Sequence, residues 1–231
     1  MSNAEKFIGT YNALEDWLKT KYNQGRHDSF FHLIAAASEK NRAVQQHQPF
    51  LKSMGDLRNA ILHDREFPQK IIADPREDIV AEFETVLTKI REPMKLITKA
   101  SSQLEYFTPQ TKLSHILELM REKDYSQVIV QNLDDTFGLI TREGISMWVE
   151  ANIDEDVVSI KETLLEDVLP YEKEQCWVFV PRQINIYDGV AELSNPSHRI
   201  QALLITENGL SHQKPLGLFT IWEMKEILKH A

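Results

Sequence analysis

The chain has 231 residues, 42% of them hydrophobic and 26% charged, with a formal net charge of −9. That supplies enough apolar material for two ordinary cores, and no apolar run approaches the roughly 18 residues that span a bilayer. The single cysteine, Cys176, precludes an intrachain disulfide and a thiolate metal cluster. The first residues lack the basic, apolar and small-residue layout of a signal peptide, so a cytoplasmic location without membrane association is expected. Charge is divided unevenly: residues 1–100 carry 15 Lys and Arg against 14 Asp and Glu, the remainder 11 against 21. The acidic half, with runs such as Glu150 to Asp156 and Glu172-Lys173-Glu174, repels a phosphate backbone, so any RNA contact is expected in the N-terminal half.

Apolar residues at three and four spacings make residues 4–98 helical throughout. Helices are expected near 4–22, 28–46, 49–64 and 75–99, packed as an all-α four-helix bundle that needs no cofactor. Asp28 and Asp74-Pro75 are start signals, Pro68 stops the third helix and Pro93 kinks the fourth. In the third helix Phe50, Met54, Leu57 and Ile61 form the expected core stripe, with Asn59 and His63 together on roughly the opposite face. Arg58 is expected on the flank, about 140° from His63.

The hexapeptide Arg58-Asn59-Ala60-Ile61-Leu62-His63 resembles the Arg-Asn-x-x-x-His signature of the HEPN superfamily, many members of which are metal-independent ribonucleases. The resemblance implies Arg58, Asn59 and His63 as catalytic candidates. Such chemistry needs a base near neutral pKa to move protons at a ribose 2′-hydroxyl, and a guanidinium to stabilise phosphorane charge. It also implies a site where two bundles meet, hence a homodimer. An exposed Arg, Asn and His near a helix C-terminus is equally consistent with simple dipole complementation. The superfamily also contains bundles that only bind partners, so a protein-binding helical domain remains the alternative.

From residue 104 the chain repeats itself. Gly138-Leu139-Ile140-Thr141 and Gly217-Leu218-Phe219-Thr220 each precede a helix-compatible stretch, and Phe107-Thr108-Pro109-Gln110 echoes Phe179-Val180-Pro181-Arg182. An amphipathic segment follows each echo, Leu113 to Met120 and Ile184 to Leu193, and then a short buried-strand run, Val128-Ile129-Val130 or Ala202-Leu203-Leu204-Ile205. The fold class expected for the whole chain is α+β, with two β-α-β-β-α units after the bundle. Neither unit is large enough to bury a core alone.

This order of elements resembles a pair of CBS domains, the Bateman module, with copies at about 104–160 and 161–231 after a helical domain at 1–100. The resemblance implies an adenosine-containing ligand between the copies, held by a Thr and by an acidic residue three positions later that accepts from the ribose hydroxyls. The second copy reads Thr220-Ile221-Trp222-Glu223, with the acid present as Glu. The first reads Thr141-Arg142-Glu143-Gly144, with glycine at the acidic position. Ligand-binding candidates are therefore Thr220 and Glu223, with Thr141 and Arg182 in support, and at most one full ribose site is expected. The acidic balance suits AMP, adenosine or an S-adenosyl ligand better than ATP. A module that only dimerises is the alternative. No metal site, Gly-rich phosphate loop, Gly-x-Ser-x-Gly elbow or His-Glu-x-x-His helix is present in the sequence.

Overall fold

A computed structural model describes residues 1–22, 29–62, 73–153, 159–173, 176–197 and 199–229. The chain divides into two compact units, Met1–Met94 and Lys95–Ala231.

The first unit is four helices around one core. In α1 (Asn3–Tyr22) the buried residues Phe7, Tyr11, Leu14 and Leu18 recur at three and four spacings, and α1 packs on all three other helices. Its N-terminus is capped from far along the chain: Asp74 Oδ1 accepts from Ala4 N–H at 2.6 Å. Asp74 thus caps α1 and not the helix that follows it. Asp74→Ala is expected to cost about 1 kcal/mol by chemical denaturation, the usual worth of a cap.

The break between the second and third helices differs from expectation. Ser29 caps α2 (Phe30–Lys40), the expected cap Asp28 lying outside the described residues, and the helix ends at Asn41. Asn41 is extended, and its side chain accepts from Val44 N–H to start α3 (Arg42–Ile61). Pro49 sits inside α3 rather than before it. The local cap at Asn41 outweighs the breaker signal of the proline, which removes one ladder bond.

The buried face of α3 is also rotated from the expected stripe. Leu51, Met54, Gly55 and Ile61 are buried, while Phe50 and Leu57 are half-buried. The small Gly55 explains the shift, since a Cβ there would lie 3.0 Å from Phe30 and 3.1 Å from Phe31 of α2. The fourth helix, α4 (Glu77–Arg91), buries Val80, Phe83, Val86, Leu87 and Ile90 and ends at Arg91 instead of running to Lys99. Glu92 leaves helical geometry because it precedes Pro93.

The second unit begins with a 3-10 turn at Leu96–Thr98, then repeats one pattern twice. The first copy is β1 (Tyr106–Phe107), α5 (Leu113–Lys123), β2 (Gln127–Gln131), β3 (Phe137–Thr141) and α6 (Arg142–Ala151). A short helix α7 (Leu165–Val168) leads to the second: β4 (Trp177–Pro181), α8 (Ile186–Leu193), β5 (Ala202–Thr206), β6 (Gly217–Thr220) and α9 (Ile221–Lys229). Each copy forms a three-stranded sheet in chain order. A helical crossover links the parallel first pair, and a hairpin the antiparallel second pair.

The register sets the equivalence between copies. Gln127 faces Thr141 and Ala202 faces Thr220, so Ile129 corresponds to Leu204, and their parallel partners Tyr106 and Phe179 correspond to each other. Phe107 therefore matches Val180, and the Phe107–Phe179 echo in the sequence is displaced by one residue. Such a displacement reverses which face of the sheet a side chain occupies.

Ile129, Phe137 and Leu139 of the first sheet pack with Ala202 and Leu204 of the second, flanked by Trp177 and Phe179. The β5–β6 connection clasps the first copy: Phe137 N–H donates to Ser211 O at 2.8 Å and the Tyr106 hydroxyl to Pro215 O at 2.7 Å. Leu96, fully buried, packs in the second copy's core against Gly189 of α8, where a Cβ would come within 2.6 Å of it. Among the described residues no helix is long and apolar enough to cross a membrane.

Candidate functional site

Thr220 ends β6 and opens α9, where backbone donors lack intrahelical partners. Glu223 turns back to meet it. Its Oε2 accepts from Thr220 N–H at 2.8 Å and from the Thr220 hydroxyl at 2.5 Å, and its Oε1 accepts from the Ser101 hydroxyl at 2.8 Å. Ser101 is fixed by reciprocal backbone bonds with Leu218 at 2.9 and 3.0 Å. A carboxylate keeps spare lone pairs in this arrangement, so Glu223 can accept from further hydroxyls.

Thr220, Glu223 and Ser101 line a cleft of about 680 Å³ within the second unit. Val128, Ile129, Leu218 and Phe107 give it apolar surface, the segment Ala100 to Glu105 lines one part and Lys123 to Gln127, after α5, another. Trp222 also lines it while remaining 63% exposed. Three carboxylates, Glu105, Asp124 and Glu223, border the cleft with one ammonium, Lys123. That ammonium is ion-paired to Glu105, whose hydrogen bond raises the lysine pKa. Polyphosphate finds no focused positive charge here; a neutral, cationic or singly phosphorylated nucleoside is the better match.

The first copy has the same Thr but a different acid. Thr141 caps α6 and its hydroxyl accepts from Gly144 N–H at 3.0 Å. Its own backbone N–H donates to Glu172 Oε1 at 2.7 Å and its hydroxyl to Glu172 Oε2 at 2.9 Å. Glu172, from the segment between α7 and β4, thus meets the two donors that Glu223 meets in the second copy. Glycine at 144 makes this possible, because a Cβ there would fall 1.9 Å from Glu172 Oε1. Burial pushes the Glu172 carboxyl above its ordinary value, with Glu143 adding repulsion and the Thr141 bonds opposing.

A raised acid pKa means that the folded chain holds its proton to higher pH than the unfolded chain does. The contribution of Glu172 to stability therefore falls as pH rises from the ordinary glutamate value through the raised one. Compared with Glu172→Gln by urea melts across that window, wild type is expected to lose stability with rising pH. A flat or rising difference would contradict the burial argument.

Sequence reasoning named Thr220 and Glu223, which stand together in the cleft. Thr141 lies at the equivalent place in the first copy and does not line the cleft. Arg182 is exposed and pairs with Glu207 at 3.3 Å, away from the cleft lining. Ser101 and Glu172 were missed. The only sequence signal for Glu172 was an acidic cluster ahead of β4 combined with the glycine at 144.

In the first unit, Arg58 of α3 is half-buried. Its guanidinium lies 5.6 Å from the Tyr11 ring centroid, and Nη1 donates to Asn59 Oδ1 at 3.4 Å. Its Nε is buried with no partner among the described residues. Burial pushes the Tyr11 hydroxyl up to about 12, with Glu15 adding to the effect and Arg58 opposing it. Asn59 is exposed, and His63 lies outside the described residues. Among the described residues no group of three His, Cys, Asp or Glu could hold a metal ion.

These features define a helical unit followed by a duplicated β-α-β-β-α pair with a polar cleft. No family model matches the chain, and no curated protein does. Solved structures with a similar chain path include a protein assigned to acetoin utilization, AcuB from Vibrio cholerae, at 14% identity and a TM-score of 0.46, covering 60% of this chain and 92% of that one. A signal-transduction protein with CBS domains from Burkholderia ambifaria matches at 20% identity and 0.45, covering 59% and 93%. CBSX2 in complex with AMP matches at 15% and 0.44, covering 59% and 97%.

Proposed function

We propose that residues 104–231 are a CBS pair acting as a ligand sensor, with copies at about 104–160 and 161–231, and that the ligand carries an adenosine group. The observation that carries this reading is the Thr220–Glu223 pair in an acid-bordered cleft, with a carboxylate able to accept both ribose hydroxyls. The charge balance favours adenosine, AMP or an S-adenosyl compound over ATP. Isothermal titration with each of the four tests it: saturable binding ordered with ATP weakest supports the reading, and no binding by any of them removes it.

The cleft is linked to the helical unit through the chain itself. Ala100 and Ser101, which line it, follow α4 after a short connection containing Pro93 and the anchored Leu96. Ligand that favours one position of Ser101 biases this connection, by about 1 to 3 kcal/mol in typical coupled systems. Ile221 and Trp222 on α9 and Met147 and Val149 on α6 are exposed apolar side chains that a homodimer would cover, which light scattering tests by mass.

A second reading concerns the output. The helical unit, residues 1–94 by its packing, is HEPN-like in this reading, with Arg58, Asn59 and His63 acting on RNA without metal. The Arg58 guanidinium supports it, being a half-buried cation beside Asn59 whose buried Nε has no partner among the described residues. Cleavage of mixed-sequence RNA in EDTA, lost in both His63→Ala and Arg58→Ala, is the expected result. Absence of cleavage in wild type leaves a non-enzymatic sensor whose helical unit binds a protein partner.

A further inference from the structure

The two copies are equivalent in fold and each sets a carboxylate on its Thr donors, but they differ in where that carboxylate comes from and in the space left beside it. By register, Thr141 corresponds to Thr220, Gly144 to Glu223 and Glu143 to Trp222. In the second copy these positions border an open cleft. In the first, the chain's own Glu172 sits on the two Thr141 donors at 2.7 and 2.9 Å.

Its neighbour closes the site further. Lys173 Nζ is ion-paired to Glu143, and Gln201, just before β5, donates from Nε2 to the other Glu143 oxygen at 2.9 Å. Segment 172–173 is thereby tied to the first turn of α6 at two points. Neither the 680 Å³ cleft nor the 390 Å³ pocket between α5 and α6 is lined by Thr141, Gly144 or Glu172.

We propose that Glu172 is an internal occupant of the first-copy site, a latch that bars ligand there and leaves the module one ligand site per chain. This rests on the reading of Thr220 and Glu223 as a ligand site. Glu223 borders space already open, whereas Glu172 fills the space beside Gly144, so a ligand entering the first copy must move Glu172 off the Thr141 donors and separate the Lys173–Glu143 pair. The loss of the acid at 144 and the gain of Glu172 are therefore one device: glycine admits the latch, and any side chain at 144 collides with it.

Two measurements test this. In the free protein, the Thr141 amide should exchange roughly tenfold or more faster in Glu172→Ala than in wild type, with Glu223→Ala leaving it unchanged. Unaltered Thr141 exchange in Glu172→Ala overturns the latch, whatever the ligand. By calorimetry with AMP and with S-adenosylmethionine separately, wild type should bind one per chain. Glu172→Ala combined with Gly144→Glu, which puts the acid where the second copy has it, should bind two. Two sites in wild type, or a folded double variant still binding one, overturns the proposal. Wild type that binds neither compound while Glu172→Ala accelerates Thr141 exchange removes the adenosine reading and supports the latch.

Discussion

Thr220→Val together with Glu223→Ala is expected to weaken binding of adenosine ligands by about 10- to 100-fold. The carboxylate is the acceptor for ribose hydroxyls, and hydrogen bonds to a charged group are each worth about 1.5 to 3 kcal/mol. The Thr hydroxyl orients that carboxylate through the 2.5 Å bond between them, so losing it adds a positioning cost. The local structural penalty is small, because the pair lies in the first turn of α9 and a lost cap costs only about 1 kcal/mol. Titration calorimetry on a variant with wild-type circular dichroism reads the effect. Unchanged affinity would place the ligand elsewhere.

The largest stability effect is expected from Leu96→Ala, at about 2 to 5 kcal/mol for deletion of a fully buried leucine. Leu96 fills the space left by Gly189 and joins Val180, Leu203, Ile205 and Phe219 in one core. Its N–H also donates to Ile184 O at 2.9 Å, so the turn at 96–98 is held by backbone as well as side chain. The fluorescence of Trp148 and Trp177 reports unfolding of the second unit. The first unit, with Trp17 in α1, should melt as in wild type if the two units unfold independently. A loss below about 1 kcal/mol would show that this segment is peripheral to the second core.

What was legible in the sequence was the part written locally. The Gly-apolar-apolar-Thr phrases fell on β3 and β6, and the uninterrupted apolar run at Ala202 to Ile205 fell on a strand buried along its whole length. The four helices of the first unit were visible in the spacing of their apolar residues. The misplacements have identifiable causes. Asn41 ended a helix that lacked an obvious breaker, while Pro49, an obvious breaker, lay inside one. Asp74 spent its capping oxygen on α1, far away in sequence.

The candidate site divides along the same line. Thr220 and Glu223 are three residues apart on one turn, and the resemblance to a CBS pair singled them out together. Glu172 and Thr141 are brought together only by the path of the segment between the copies. No local pattern announces that contact, and the acidic run at 172–174 read as part of an acidic half that repels a phosphate backbone.

Amide hydrogen exchange of the wild-type protein with and without saturating AMP tests the sensor most directly. The account predicts slower exchange in 100–105, 123–129 and 218–223, extending to the Leu96–Thr98 turn, with Thr141 unaffected. Protection centred on Thr141 and 172–173, or none anywhere in Lys95–Ala231, would contradict it.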